Sequence, residues 1–165
     1  MEKINIIWLR RDLRLEDNAA LSNALKGKNT VLPIFIYDSE ILEKLSNKKD
    51  RRVEFIYESL LKLKSELIAH NSDLLVLHGK PKDIWANLIS EYPIETVFTN
   101  TDYEPYAKLR DKEIESILLS KGIEFKSFKD HCIFDSTEVL KEDGKPYTVF
   151  TPYSRKWKSL IKEDT

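Results

Sequence analysis

The chain has 165 residues, the length of one globular domain, and with 41% hydrophobic and 33% charged residues it is too apolar to be disordered. Lys and Arg total 27 against 28 Asp and Glu, a formal charge of −1, so this chain alone is not expected to grip nucleic acid by its phosphates. The four glycines, Gly27, Gly79, Gly122 and Gly144, lie far apart, which excludes a glycine-rich phosphate loop and a serine nucleophile elbow.

Ile4 to Leu9 is apolar with little alternation and reads as a strand buried on both faces. Arg10 and Arg11 interrupt it too early for a signal-peptide core or a membrane span. Asp17 or Asn18 can cap a helix whose core face is Ala20, Leu21, Ala24 and Leu25, with Gly27 just past its end. Thr30 to Tyr37 is a second strand, and a short helix follows Ser39. Val53, Ile56, Leu60, Leu63 and Leu67 then repeat at alternating spacings of three and four, one buried stripe on a helix from about Asp50 to Ala69. Leu74 to Leu77 is a third strand, and Pro81 opens a helix with core face Ile84, Trp85, Leu88 and Ile89. Thr96 to Thr99 is a fourth strand. Pro105 opens a helix that buries Leu109, Ile114, Ile117 and Leu118 before Gly122 ends it, and Ile123 to Phe128 is a fifth strand.

Strands alternating with helical connections imply an α/β fold, a Rossmann-like doubly wound sheet of five parallel strands with helices on both faces, over residues 1–128. Residues 129–165 form an extension without that period, with a turn at Glu142 to Lys145 and a helical closing segment, Thr151 to Lys162. Cys132 has no internal disulfide partner, and His70, His78 and His131 have no metal-ligand spacing, so no metal is expected and a reducing cytoplasm fits best.

Open parallel sheets take ligands beyond the carboxyl ends of the strands, where the strand order reverses. That rule nominates Arg10, Arg11, Asp12 and Arg14 after the first strand, Asp38 with Arg51 and Arg52 after the second, and Asn100 to Glu104 after the fourth. Arg52, Phe55 and Ser59 add a polar stripe at the same end of the long helix. Guanidinium planes and carboxylate acceptors there could hold a planar ring. The same residues could equally pair with one another and cap the following helices, and Glu104 before Pro105 could only favour a helix start. His78 and His131 read as structural, Trp8 and Trp85 as packing residues, and the Lys48, Lys49, Arg51, Arg52 cluster as a solvated helix start. No acid, base or nucleophile constellation stands out, so no catalytic residue is expected in this chain.

Several stretches resemble the DNA photolyase and cryptochrome family in the same order: WLRRDLRLEDNAAL from Trp8, PIFIYD from Pro33, RRVEFIYESLLKL from Arg51, NTDYEPYAKLRD from Asn100 and DGKPYTVFTPYSRKW from Asp143. Together they span nearly the whole chain; Leu9 stands where many members carry an aromatic residue. The resemblance implies the N-terminal photoantenna domain of a deoxyribodipyrimidine photolyase, followed in the family by a larger helical domain that holds FAD, the tryptophan chain and the pocket for a flipped pyrimidine dimer. It implies a truncated chain, with residues 129–165 starting the interdomain connection and Tyr153, Trp157, Leu160 and Ile161 lacking a partner.

The implied activity of the full-length protein is blue-light repair of cyclobutane pyrimidine dimers, with this part not itself catalytic and DNA reached only through the full-length protein. A cryptochrome-type receptor without repair is the alternative; a stand-alone nucleotide-binding domain is a further one, against which the scattered glycines argue. The implied ligand is an antenna chromophore. Folate-binding members hold methenyltetrahydrofolate through the acidic residue that matches Glu104, with Asn100 and Tyr103 close by. Members with deazaflavin or FMN place the ring deeper, near the residues that match Asp38, Arg52 and Asp102. Folate is also gripped by the helical domain, so the domain alone is expected to hold it weakly.

Overall fold

The computed structural model describes residues 2–47 and 49–161. They divide into two compact units, Met1–His131 and Cys132–Thr165. The first contains β1 (Ile4–Leu9), α1 (Ala19–Ala24), β2 (Thr30–Asp38), α2 (Ser39–Leu42), α3 (Arg51–Ala69), β3 (Leu75–Gly79), α4 (Pro81–Glu91), β4 (Ile94–Asn100), α5 (Pro105–Ser120) and β5 (Glu124–Phe128). The strands form one sheet in the order β3-β2-β1-β4-β5, every pair parallel. The chain moves outward from β1 to β3, returns to β4 on the other side of β1, and so reverses direction at β1 and β4. This is the doubly wound sheet that the sequence pattern predicts.

The near-continuous apolar runs follow from two covered faces. Ile6, Trp8, Ile34, Ile36 and Val97 point to one core with Trp85 and Leu88 of α4 and Ile114 and Leu118 of α5. Their neighbours Ile7, Leu9, Phe35 and Phe98 point to the other, with Ala20 and Ala24 of α1 and Leu60, Leu63 and Leu67 of α3. Trp8 and Trp85 meet edge to face with ring centroids 5.4 Å apart, so both tryptophans are packing residues, as expected.

Asn18 is the cap of α1, its side chain accepting from Leu21 N, and Asp50 is the cap of α3. Two predicted core residues lie outside. Leu25 is exposed because α1 ends at Ala24. Leu109 is 72% exposed because it lies two residues, about 200° around the helix, from buried Ala107, which begins the stripe continued by Ile114 and Leu118. β3 extends to Gly79 and alternates in burial, as an edge strand with one open face should, and His78 is exposed on it.

In the second unit, Lys141 N donates to Lys145 O and Gly144 N to Lys141 O, closing the predicted turn. Gly144 sits there at φ 76°, a left-handed conformation that suits glycine. α6 (Phe150–Leu160) follows and buries none of its side chains; Tyr153 and the following Ile161 are exposed. Trp157 packs edge to face on Phe134 at 5.7 Å, and Tyr153 on Tyr147 at 6.2 Å. The predicted end of this helix, Lys162, lies outside the described residues. Among the described residues no helix is long and apolar enough to cross a membrane.

Candidate functional site

The carboxyl ends of β1 and β4 are tied by a buried polar hub. Asn100, the last residue of β4 and only 1% exposed, accepts from Ala20 N at 2.9 Å through Oδ1. Its Nδ2 donates to Asp12 Oδ2 at 2.6 Å and to Asn18 Oδ1 at 2.9 Å. Asp12 Oδ1 accepts from Arg10 N at 2.8 Å, folding the loop after β1 back on itself. Two backbone N–H groups at the start of α1 are thus satisfied by Asn18 and Asn100, which explains a stable entry to a helix of six residues. Asn100 and Asp12 therefore build the crevice and offer no free polar atom to a ligand.

A second network lies on the Trp8 side of the sheet. Arg10 leaves β1 and turns inward, its guanidinium 5.0 Å from the Trp8 ring centroid, donating to Asp111 Oδ2 at 2.5 Å and to Asn100 O. Arg110 lies 4.9 Å from the same ring and donates to Asp111 Oδ1 at 2.8 Å. Burial pulls the Arg10 pKa down, and Asp111 opposes that shift. Tyr106, one turn before Arg110, donates its hydroxyl proton to Asp38 Oδ2 at 2.6 Å, while Asp38 Oδ1 caps α2 through Glu40 N. Burial and the Asp38 carboxylate push the tyrosine pKa up, so Tyr106 stays a protonated donor.

Charged groups open to solvent converge elsewhere on the same edge. Arg11 lies 3.4 Å from Asp102 Oδ2 through Nε and 3.7 Å from Glu104 Oε1 through Nη2. Asp102 is buried and accepts from Glu104 N at 3.1 Å, whereas the side chains of Arg11 and Glu104 are 62% and 58% exposed. Tyr103, half-buried, lies between Asp102 and Glu104 in the chain.

Of the nominated residues, the structure brings Arg11, Asp102 and Glu104 together as an accessible cluster, commits Arg10, Asp12 and Asn100 to the frame, and ties Asp38 to Tyr106. It does not bring Arg52 or Phe55 to them. Arg52 chelates Asp50, Nε donating to Oδ1 at 2.9 Å and Nη2 to Oδ2 at 2.7 Å, and Phe55 is 70% exposed. Ser59 Oγ donates back to Phe55 O. Tyr106, Arg110 and Asp111 were not among the nominated residues, although Tyr106 and Arg110 stand at i and i+4 at the start of a predicted helix, directly after the nominated loop. Asp12, Asp130 and His131 each bring a ligand atom within 4.8 Å of the others. Asp130 is already taken up by Ala19 N at 2.9 Å and Arg14 at 2.8 Å.

The pairing with Arg52 holds the Asp50 carboxyl down at about 2. A depressed carboxylate stabilises the fold above its ordinary range, and that contribution is lost as pH falls toward about 2. An NMR titration should find this Asp50 midpoint, and R52Q should return it toward the ordinary aspartate value of 3.8; an unchanged midpoint would remove Arg52 as the cause.

The family model described as DNA photolyase matches residues 5–165. A deoxyribodipyrimidine photo-lyase of Alkalihalophilus pseudofirmus is 30% identical over 161 residues, covering 94% of this chain and 33% of that protein. Cryptochrome-1 of Spalax judaei is 31% identical over 137 residues, covering 83% and 23%. Among solved structures, the class III photolyase of Agrobacterium tumefaciens superposes with a TM-score of 0.88 at 27% identity, over 100% of this chain and 33% of that one. The photolyase of Sulfolobus tokodaii, described with two FAD molecules, gives 0.81 at 30% identity over 95% and 35%. The chain thus spans about a third of the length of its photolyase relatives.

Proposed function

The chain belongs to the DNA photolyase family, and from that premise we propose that it is the light-harvesting, antenna-chromophore-binding domain of a deoxyribodipyrimidine photolyase. Residues 129–165 then begin the connection to a helical FAD-binding domain, and the whole protein repairs cyclobutane pyrimidine dimers in DNA under blue light. The exposed Cys132 supports a reducing, cytoplasmic setting.

The observation that carries the reading is the solvent-facing pair of Arg11 and Glu104, backed by buried Asp102, at the carboxyl edge of the sheet, beside the switch point. A guanidinium donor beside carboxylate acceptors matches the amide and amine edge of a pterin, and the exposed side chains of Arg11 and Glu104 leave it within reach of one, whereas Asp38 is buried and bonded to Tyr106. Bound there, the chromophore would supply absorption of light and through-space transfer of the excitation. This chain's residues bind and orient: Glu104 accepts from ring N–H groups, Arg11 donates to ring carbonyl or nitrogen, and buried Asp102 holds Arg11 in place.

Titrating the 165-residue chain with 5,10-methenyltetrahydrofolate, followed by quenching, tests the seat. Loss of a hydrogen bond to a charged group is worth about 1.5–3 kcal/mol, so E104A and R11A should each weaken binding by about tenfold or more, with R52A near wild type. If R52A weakens binding more than E104A, the seat lies on α3 instead. Cryptochromes among the relatives make signalling the second reading. Repair of dimer-containing DNA under blue light by the protein carrying its FAD domain separates the two, and no repair favours the receptor.

A further inference from the structure

α1 is only six residues long, and its small buried residues Ala20 and Ala24 pack with Ile7, Leu9 and Phe98 on one face of the sheet. Side chains two residues apart share a face, so toward the amino ends of β1 and β4 that face continues as Asn5 and Thr96, paired in register, with Lys126 of β5 opposite Phe98. This polar row borders a cavity of about 530 Å³, within the size range of small-ligand sites. Lys26, Gly27 and Lys28, from the turn between α1 and β2, also line it, and none of Arg11, Asp102 and Glu104 does.

The wall of this cavity is buried without being satisfied. Asn5 is 5% exposed and Thr96 6%, so they are not an ordinary solvated face. Asn5 Oδ1 accepts from Asn29 Nδ2 at 3.3 Å, while no hydrogen bond among the described residues takes Asn5 Nδ2. A buried amide donor without a partner is costly, and an acceptor in the cavity relieves that cost. Glycine at position 27 keeps the approach open, since a Cβ there would lie 3.6 Å from that nitrogen. The rim is positive. Glu95 is answered by Lys3 at 3.4 Å and by Asn29, and Glu124 by Lys126 at 2.8 Å. Lys26 Nζ meets the neutral Asn23 Oδ1 at 3.0 Å, and among the described residues neither Lys26 nor Lys28 pairs with a carboxylate, in a chain whose overall charge is −1.

We propose that this cavity is a second ligand site, separate from the chromophore seat, which takes a small phosphate-bearing anion: Asn5 Nδ2 donates to one of its oxygens, and Lys26, Lys28 and Lys126 hold its charge. Every free group named here is a donor or a cation, which fits an oxygen-rich anion, and lysine ammoniums serve such an anion as point charges without the planar match that a guanidinium demands. The lysines gather around one cavity and the chain as a whole is not basic, which favours a small ligand over a strand of nucleic acid.

The test titrates the 165-residue chain with inorganic pyrophosphate, followed by calorimetry and by NMR shifts of the backbone amides. Saturable binding is expected, with shifts concentrated at Asn5, Gly27, Lys28 and Thr96. K28A and K126A should each weaken it by about fivefold or more, whereas K62A, on the exposed face of α3, should stay within about twofold. G27A leaves every charge in place, and Gly27 is not among the glycines at positive φ, so the backbone accepts alanine; the added methyl covers Asn5 Nδ2 and should weaken binding by about threefold or more. If G27A does not fold, the lysine variants and the shifts decide. Absence of saturable binding overturns the site, as does K62A weakening it as much as K28A, which would mean diffuse attraction to surface charge. Wild-type affinity in folded G27A overturns it too, because the buried amide would then have no part in binding. A single-stranded oligonucleotide that binds more tightly than pyrophosphate and loses as much affinity in K28A overturns the small-ligand assignment.

Discussion

Replacing Asp111 by alanine should destabilise the chain by about 3–5 kcal/mol, because it strands a buried charge. The side chain of Arg10 is 8% exposed and that of Arg110 9%, and both guanidiniums face Trp8 with Asp111 as the carboxylate they share. Arg10 has no room to reach water, as the downward pull of burial on its pKa reflects. Without Asp111 the two like charges repel in a medium of low polarity. D111N keeps the volume and part of the hydrogen bonding but not the charge, so it should fall between wild type and D111A. The double variant R10M/D111A should regain part of the loss, because an apolar side chain over Trp8 needs no counter-charge. Urea unfolding measures all three; a loss under about 1 kcal/mol in D111A would mean that water reaches the pair.

The contrast between Arg10 and Arg11 shows what could be read in advance. Adjacent in sequence, they serve opposite ends: one is swallowed by the frame and the other faces solvent. Period and capping chemistry are local, so β1, the Asn18 cap and the α3 stripe follow from neighbours a few residues away. The doubly wound sheet follows from βα alternation together with the right-handed crossover rule, while the strand order that puts the switch point between β1 and β4 comes from the structure. The partners of an arginine do not, since Arg10 meets Asp111 some hundred residues later, and only the register of β1 against β4 brings them together. The same distance explains Asp38. The sequence places it just after an apolar strand, among residues that could either hold a ligand or pair with one another, and its second oxygen belongs to Tyr106 on α5. Arg52 finds its partner locally: Asp50 two residues earlier is both the cap of α3 and the carboxylate that Arg52 pairs with. The family motifs located the edge; they did not divide its residues into frame and seat.

Asn100 is where the frame is most exposed to a single change. N100A removes three hydrogen bonds at once and leaves Ala20 N–H and Asp12 Oδ2 without a partner in a region almost sealed from solvent, while Asn18 Oδ1 keeps Leu21 N. Each buried group left unsatisfied costs about 1–3 kcal/mol, so a total of about 3 kcal/mol or more is expected. N100D is isosteric and fails differently, because it sets a carboxylate where an amide now donates to Asp12 at 2.6 Å. Two carboxylates at that distance cannot both ionise cheaply, so the pair's folded pKa rises above its unfolded value. The sign follows: N100D is least perturbed below the ordinary carboxylate range and loses stability as pH rises through the raised folded pKa. Denaturation of N100D at pH 5 and pH 8 should show the higher midpoint at pH 5, whereas the deficit of N100A relative to wild type should be alike at both. Equal deficits for N100D at the two pH values would show that the aspartate escapes Asp12. Since Asp12 also bonds Arg10 N, the loop carrying Arg11 loosens in either variant, and affinity for the proposed chromophore should fall along with stability.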